Sequence, residues 1–135
     1  MHTSGELVRL LMRTGYWSVW HGLYAEAAAL FNGAKAARPE SEVPVLGMAV
    51  LAMVMQQPDS AVQLLRENAL ALAPRSELVQ AHLGCALRLA GEESEGQDLL
   101  QRVVASGRDE DARRMAVNLL RLSPSQLSPQ LAKVL

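Results

Sequence analysis

Gly22-Leu23-Tyr24-Ala25-Glu26-Ala27-Ala28-Ala29-Leu30-Phe31-Asn32-Gly33-Ala34-Lys35-Ala36-Ala37-Arg38-Pro39 decides how this chain is read. A glycine turn opens an alanine-rich segment that Pro39 closes. Ala27, Phe31 and Ala34 stand four and three residues apart, which on a helix places them on one face. A small–large–small stripe lets a second helix approach closely while the ring fills the gap. Upstream, Gly15 lies seven residues before Gly22, and Leu11 four before Gly15. Glycine inside a helix costs about 1 kcal/mol against alanine. Gly15 is therefore expected where another helix presses on bare backbone.

The same order recurs along the chain. A shift of 69 residues carries Gly15 onto Gly84, Gly22 onto Gly91, Phe31 onto Leu100 and Ala34 onto Val103. A shift of 35 carries Ala34 onto Ala69 and Pro39 onto Pro74. A period of 34 to 35 residues belongs to stacked helix–turn–helix units. Three units follow, at about 8–41, 42–76 and 77–107, with a capping helix at about 109–122 and a tail at 123–135. The second unit fits least well. Pro58 stands in place of the turn glycine, and the span from Ala61 to Ala69 is one residue too long. That surplus predicts an irregular turn or bulge near Glu67-Asn68. In the third unit Gly96 replaces the second-helix alanine. An ordinary helical bundle with chance spacing is the alternative reading.

Local signals agree with an all-α fold. Thr3-Ser4-Gly5-Glu6 has the form of a capping box. Pro44 is tolerable in the first turn of a third helix behind Ser41. Asp59 and Ser76 are expected to cap the fourth and fifth helices, and Ser94 with Gln97 offers a second capping box. Asp109-Glu110-Asp111 puts acids at the positive end of a seventh helix. Ser123-Pro124 and Ser128-Pro129 are expected to break the tail, leaving a short amphipathic piece at 129–135. No alternating apolar pattern suggests a strand.

Composition narrows the function. The chain has 135 residues, 13 basic and 14 acidic side chains, so there is no cationic excess to neutralise phosphates and nucleic acid is not an expected partner. Cys85 is the sole cysteine, which excludes an internal disulfide and suits a reducing compartment. The first residues lack the pattern of a signal peptide. The most apolar run, 43–55, falls short of the roughly 20 residues that span a bilayer. The expectation is a soluble, cytoplasmic protein without membrane insertion. His82 and Cys85 share a helix face, but no second cluster completes a metal site, and they read more plainly as a core or groove pair. No phosphate loop, GxSxG or HExxH is present. Neither catalysis, a metal nor a cofactor is expected.

Leu11, Gly15, Gly22, Tyr24, Ala27, Phe31, Ala34 and Pro39 together resemble the tetratricopeptide (TPR) signature, with Thr14 and Ser18 departing from it. The resemblance implies a right-handed superhelix of three repeats plus a C-terminal capping helix. In such a stack the first helix of each unit lines a concave groove. Projected onto it, the groove rows are Met12, Tyr16 and Trp20; Leu51, Val54 and Met55; and Ala81, Cys85, Arg88 and Leu89. This lining is mostly apolar and lacks the Lys and Asn set that clamps acidic C-termini. It suits the buried face of an amphipathic helix. The alternative is that these residues are interior to a tightly closed superhelix.

Over roughly residues 7–122 the chain is similar to the small TPR proteins of bacterial type III secretion, both the needle-subunit chaperones and the Hrp-type group. The segment from Tyr24 to Pro39, Leu65-Arg66 and Leu83-Gly84-Cys85-Ala86-Leu87 carry this likeness. It implies a cytoplasmic chaperone that holds an amphipathic helix of a needle-forming or secreted subunit and prevents premature polymerisation, with a small helical co-chaperone. Without its client such a chain would self-associate. A TPR scaffold bridging folded partners is the competing expectation.

Overall fold

Thr3 Oγ1 accepts the Glu6 backbone N–H at 3.0 Å, so the first helix starts where the capping signal places it. The computed structural model describes residues 3–135, and among these there are helices and turns but no strand. We number the helices α1 (Ser4–Trp20), α2 (Tyr24–Ala37), α3 (Val43–Val54), α4 (58–72), α5 (Glu77–Leu89), α6 (Glu93–Ser106), α7 (Glu110–Leu120) and α8 (Pro124–Val134). The first six pair as consecutive hairpins. Each odd-numbered helix also touches the next odd one, from α1 through α3 and α5 to α7, whereas the even helices make no comparable contact. The odd helices thus form one layer. No helix among the described residues is long and apolar enough to cross a membrane.

The three hairpin turns are one structure repeated. The Leu23, Gln57 and Glu92 N–H groups donate to the carbonyls of Ser18, Ala52 and Leu87 at 2.8, 2.8 and 2.9 Å. The residue before each donor has a positive φ: 74° at Gly22, 60° at Gln56 and 90° at Gly91. This closes the first helix of each hairpin with a left-handed residue that satisfies its last carbonyls. Gln56, not Pro58, therefore occupies the turn position of the second hairpin. Pro58 is instead the first residue of α4, where its missing N–H costs nothing. Asp59 falls in the first turn of α4, and Ser94 lies inside α6, so neither is the cap expected of it. Ser76 and Asp109 are caps, accepting the N–H groups of Val79 and Ala112 at 3.2 and 3.1 Å.

The surplus residue of the second unit is absorbed where the spacing places it. Leu64–Ala69, in the middle of α4, is π-helical. A π turn accommodates one extra residue without ending the helix. Ala61 and Leu65 lie 34 positions after Ala27 and Phe31, while Ala69 lies 35 after Ala34. All six are fully buried, as are Leu100 and Val103 in the third hairpin. The bulge keeps a small–large–small face pointing inward despite the insertion.

Glycines let the large residues in. A Cβ on Gly15 would lie 2.4 Å from Cε1 of Phe31, and one on Gly47 only 2.7 Å from the same atom. Phe31 is thus clamped between bare backbone of α1 and α3, with Tyr16 meeting it edge-on at 5.3 Å between ring centroids. The third hairpin repeats the device: a Cβ on Gly84 would meet Leu100 Cγ at 2.7 Å.

The C-terminal segment departs from expectation. Ser128-Pro129 does not break it, and α8 runs through both residues. Pro124 sits at the helix start, and the Ser123 N–H donates to Gln126 Oε1 at 2.8 Å, which sets the helix before Pro129 is reached. Pro129 forfeits one backbone hydrogen bond. Burial of Leu127 and Leu131 on either side holds the helix together there.

Candidate functional site: a helix seated on the odd layer

α8 does not extend the pattern of hairpins. It touches α3, α5 and α7, all members of the odd layer. Leu127 and Leu131, four residues apart on one face, are its buried residues, at 0% and 4% exposure. Beside α8 lie two clefts. One, of ≈ 220 Å³, is bordered by Trp20 and Val54 with Ser128, Pro129 and Leu131 from α8. The other, of ≈ 280 Å³, is bordered by Met53, Gln56, Pro58 and Leu89 with Ser128. Trp20, Val54 and Leu89 are half-buried residues at matching positions in the three hairpins, 34 and then 35 residues apart. The candidate site is therefore the C-terminal ends of α3 and α5, with Trp20 of α1 beside them, where α8 is seated.

Of the ten groove residues read from the sequence, these three border the clefts. Met12, Leu51, Ala81, Cys85 and Arg88 are buried in the interior, and Met55 is exposed. Tyr16 is half-buried against Phe31. The turn register explains the second row. With Gln56 in the place of Gly22, the partners of Met12, Tyr16 and Trp20 are Leu46, Val50 and Val54 rather than Leu51, Val54 and Met55.

Arg88 has a different task from contacting a partner. Its Nη1 and Nη2 donate to the carbonyls of Leu119 and Leu122 at 2.7 and 2.8 Å, and its Nε to Glu93 Oε1 at 2.8 Å. The guanidinium thus caps the carbonyl end of α7, where a cation complements the helix dipole. It fixes the turn from which α8 departs. The matching positions in the first two hairpins are Val19 and Met53, both apolar. The arginine stem also explains Gly96, because a Cβ there would lie 2.5 Å from Arg88 Cγ.

Other ionisable groups in the interior are structural. Burial pushes the Cys85 thiol up to about 12, against a smaller opposing effect of Arg88, so it is not a nucleophile near neutral pH. Burial likewise raises the Tyr16 phenol to about 12. Burial lowers the His82 imidazole, whose Nδ1–H donates to the Leu78 carbonyl at 2.7 Å. Glu77 is held below the usual carboxylate range by hydrogen bonds from Ser106 and from the Asp109 N–H, and by Arg108. It ties the start of α5 to the α6–α7 turn. Among the described residues no three His, Cys, Asp or Glu side chains gather to hold a metal.

The sequence reading missed Leu127 and Leu131. The signal was present in Ser123-Pro124 with Gln126 at the third helical position, a start motif that outweighs the later Ser128-Pro129. No known family model matches the chain, and no curated protein matches it either.

Proposed function

We propose that this chain is a protein-binding module of TPR type whose odd-helix layer receives the apolar face of an amphipathic helix. The observation that carries the reading is α8 itself, a helix docked on that layer through Leu127 and Leu131. The layer receives a helix from a direction that the hairpin stack does not require. The matched turns, the shared small–large–small faces and the odd-to-odd contacts support the TPR superhelix. On the resemblance to type III secretion chaperones, the partner is a needle-forming or secreted subunit, held in the cytoplasm before export together with a small helical co-chaperone. The groove is not an open trough. Its deeper rows are filled by this chain, and what remains for a partner is the strip around Trp20, Val54 and Leu89.

A scaffold function has its own observation. Leu7, Leu10 and Trp17 on α1 are 41%, 53% and 54% exposed and lie three and seven residues apart on one helical face. This stripe would bridge to a folded partner from outside the odd layer. Native purification followed by mass identification of small co-purifying proteins separates the two. Loss of the partner on Trp20→Ala with Leu89→Ala supports the helix receptor. Retention there, with loss on Leu10→Asp and Trp17→Ala, replaces it by the scaffold.

A further inference from the structure

We infer that α8 is a displaceable occupant, an internal stand-in for a partner helix presenting two leucine-sized residues four apart on an uncharged face. The inference rests on the receptor reading above and adds what holds the receptor closed. α8 buries two residues, Leu127 and Leu131, with Val134 partly buried beside them, whereas α2, α6 and α7 bury three each, α1 five and α5 ten. Pro129 weakens its backbone bonding in the middle of the docked face. The clefts of ≈ 220 and ≈ 280 Å³ flank it and share Ser128, so its sides are incompletely packed. The bond set at Arg88 involves the end of α7 and the turn but no residue of α8. α8 can therefore swing away while α7 stays capped. Lys133 is the one charged residue of α8 and lies in its last turn. The face that the layer accepts is apolar and neutral, and a competing helix must match it.

The ligand need only outcompete a tethered segment. Tethering supplies an effective concentration in the millimolar range, and a receptor closed most of the time loses apparent affinity in proportion to its open fraction. The test uses the full chain and a fluorescent synthetic peptide of residues 123–135 as the probe. Leu127→Glu with Leu131→Glu undocks α8, and Leu127→Met with Leu131→Met is the control that keeps it docked. Hydrogen exchange is expected to accelerate only at 124–134 in the glutamate variant. That variant should bind the peptide about ten- to a hundredfold more tightly than the unaltered chain or the methionine control, and adding Leu89→Glu should abolish the gain. Equal binding by all three overturns the displacement while leaving the receptor reading intact. Binding by none, with exchange protection retained at 4–120, overturns both. Loss of protection throughout the glutamate variant makes α8 part of the core and overturns the displacement. So does elution of the unaltered chain as a dimer that exchanges α8 between copies.

Discussion

Replacing Gly15 with alanine opposes two effects of similar size, and the structure decides which prevails. Alanine gains about 1 kcal/mol over glycine in a helix interior. The new Cβ, however, would stand 2.4 Å from Phe31 Cε1 and 2.8 Å from Cδ1, about an ångström inside ordinary contact. The ring has nowhere to go. On its far side a Cβ built on Gly47 would already lie 2.7 Å away, with Met12 Cε at 2.9 Å from that same point. α1 and α3 must separate, or the ring must leave its rotamer. Overpacking of this kind costs about 1–3 kcal/mol, and here, with backbone on both sides, the upper end applies. The net expectation for Gly15→Ala is destabilisation by about 1–2 kcal/mol. Gly33→Ala is the internal control. Gly33 is also in a helix interior, but its Cβ would meet only Leu11 Cδ1, at 3.7 Å. It should stabilise by about 0.5–1 kcal/mol. Urea unfolding followed by far-UV circular dichroism measures both variants against the parent. If Gly15→Ala raises the midpoint as Gly33→Ala does, the clamp on Phe31 is not the reason for the glycine and the packing argument fails.

Arg88→Met removes the side-chain cap of α7, leaving the Leu122 carbonyl without that donor while Leu119 keeps the Leu122 N–H and Glu93 keeps Gln97; a loss of about 2 kcal/mol in urea unfolding is expected, and a loss below about 0.5 kcal/mol would contradict the assigned role. Gln56→Gly relieves a left-handed residue at φ 60° and should stabilise by about 0.5–1 kcal/mol, so a lowered thermal midpoint would count against the shared turn geometry. Acidification should destabilise the fold in two windows. The His82 imidazole is lowered from 6.5 and Glu77 from 4.5, so the unfolded chain binds more protons at both sites. Stability is therefore full above about pH 6.5 and falls as pH drops through the lowered His82 value, then falls again below about 4.5 as Glu77 titrates. Urea midpoints across pH 7 to 4 measure this, and His82→Leu should flatten the first window; an unchanged slope in that variant would remove His82 as its source.

The helices up to α7, the first cap and the close approach at Gly15, repeated at Gly84, were readable because each rests on neighbours within a few residues or on a simple period. Spacing alone located the insertion near Glu67-Asn68, since a 34-residue unit with 35 positions must bulge between its fixed buried points. The turn at Gln56 was not readable. Glutamine carries no preference for a left-handed backbone, and only the hydrogen bond from Gln57 N–H to Ala52 shows the register. That single displacement moved one row of the expected groove onto Leu51 and Met55. The cap role of Arg88 is not legible in the sequence, because its acceptors, Leu119 and Leu122, lie more than thirty residues away, beyond any local pattern.

The sequence by itself determined the helical hairpins, their period and the residues whose burial depends on small–large–small spacing. These are set by backbone hydrogen bonding, caps and helical periodicity, all of which act over one or two turns. The tertiary structure alone decided that α8 crosses back over α3, α5 and α7, that Arg88 joins α5 to the end of α7, and that most of the expected groove is interior. Such choices depend on which apolar surfaces remain uncovered once the hairpins stack. A chain encodes that remainder only through its whole packed form.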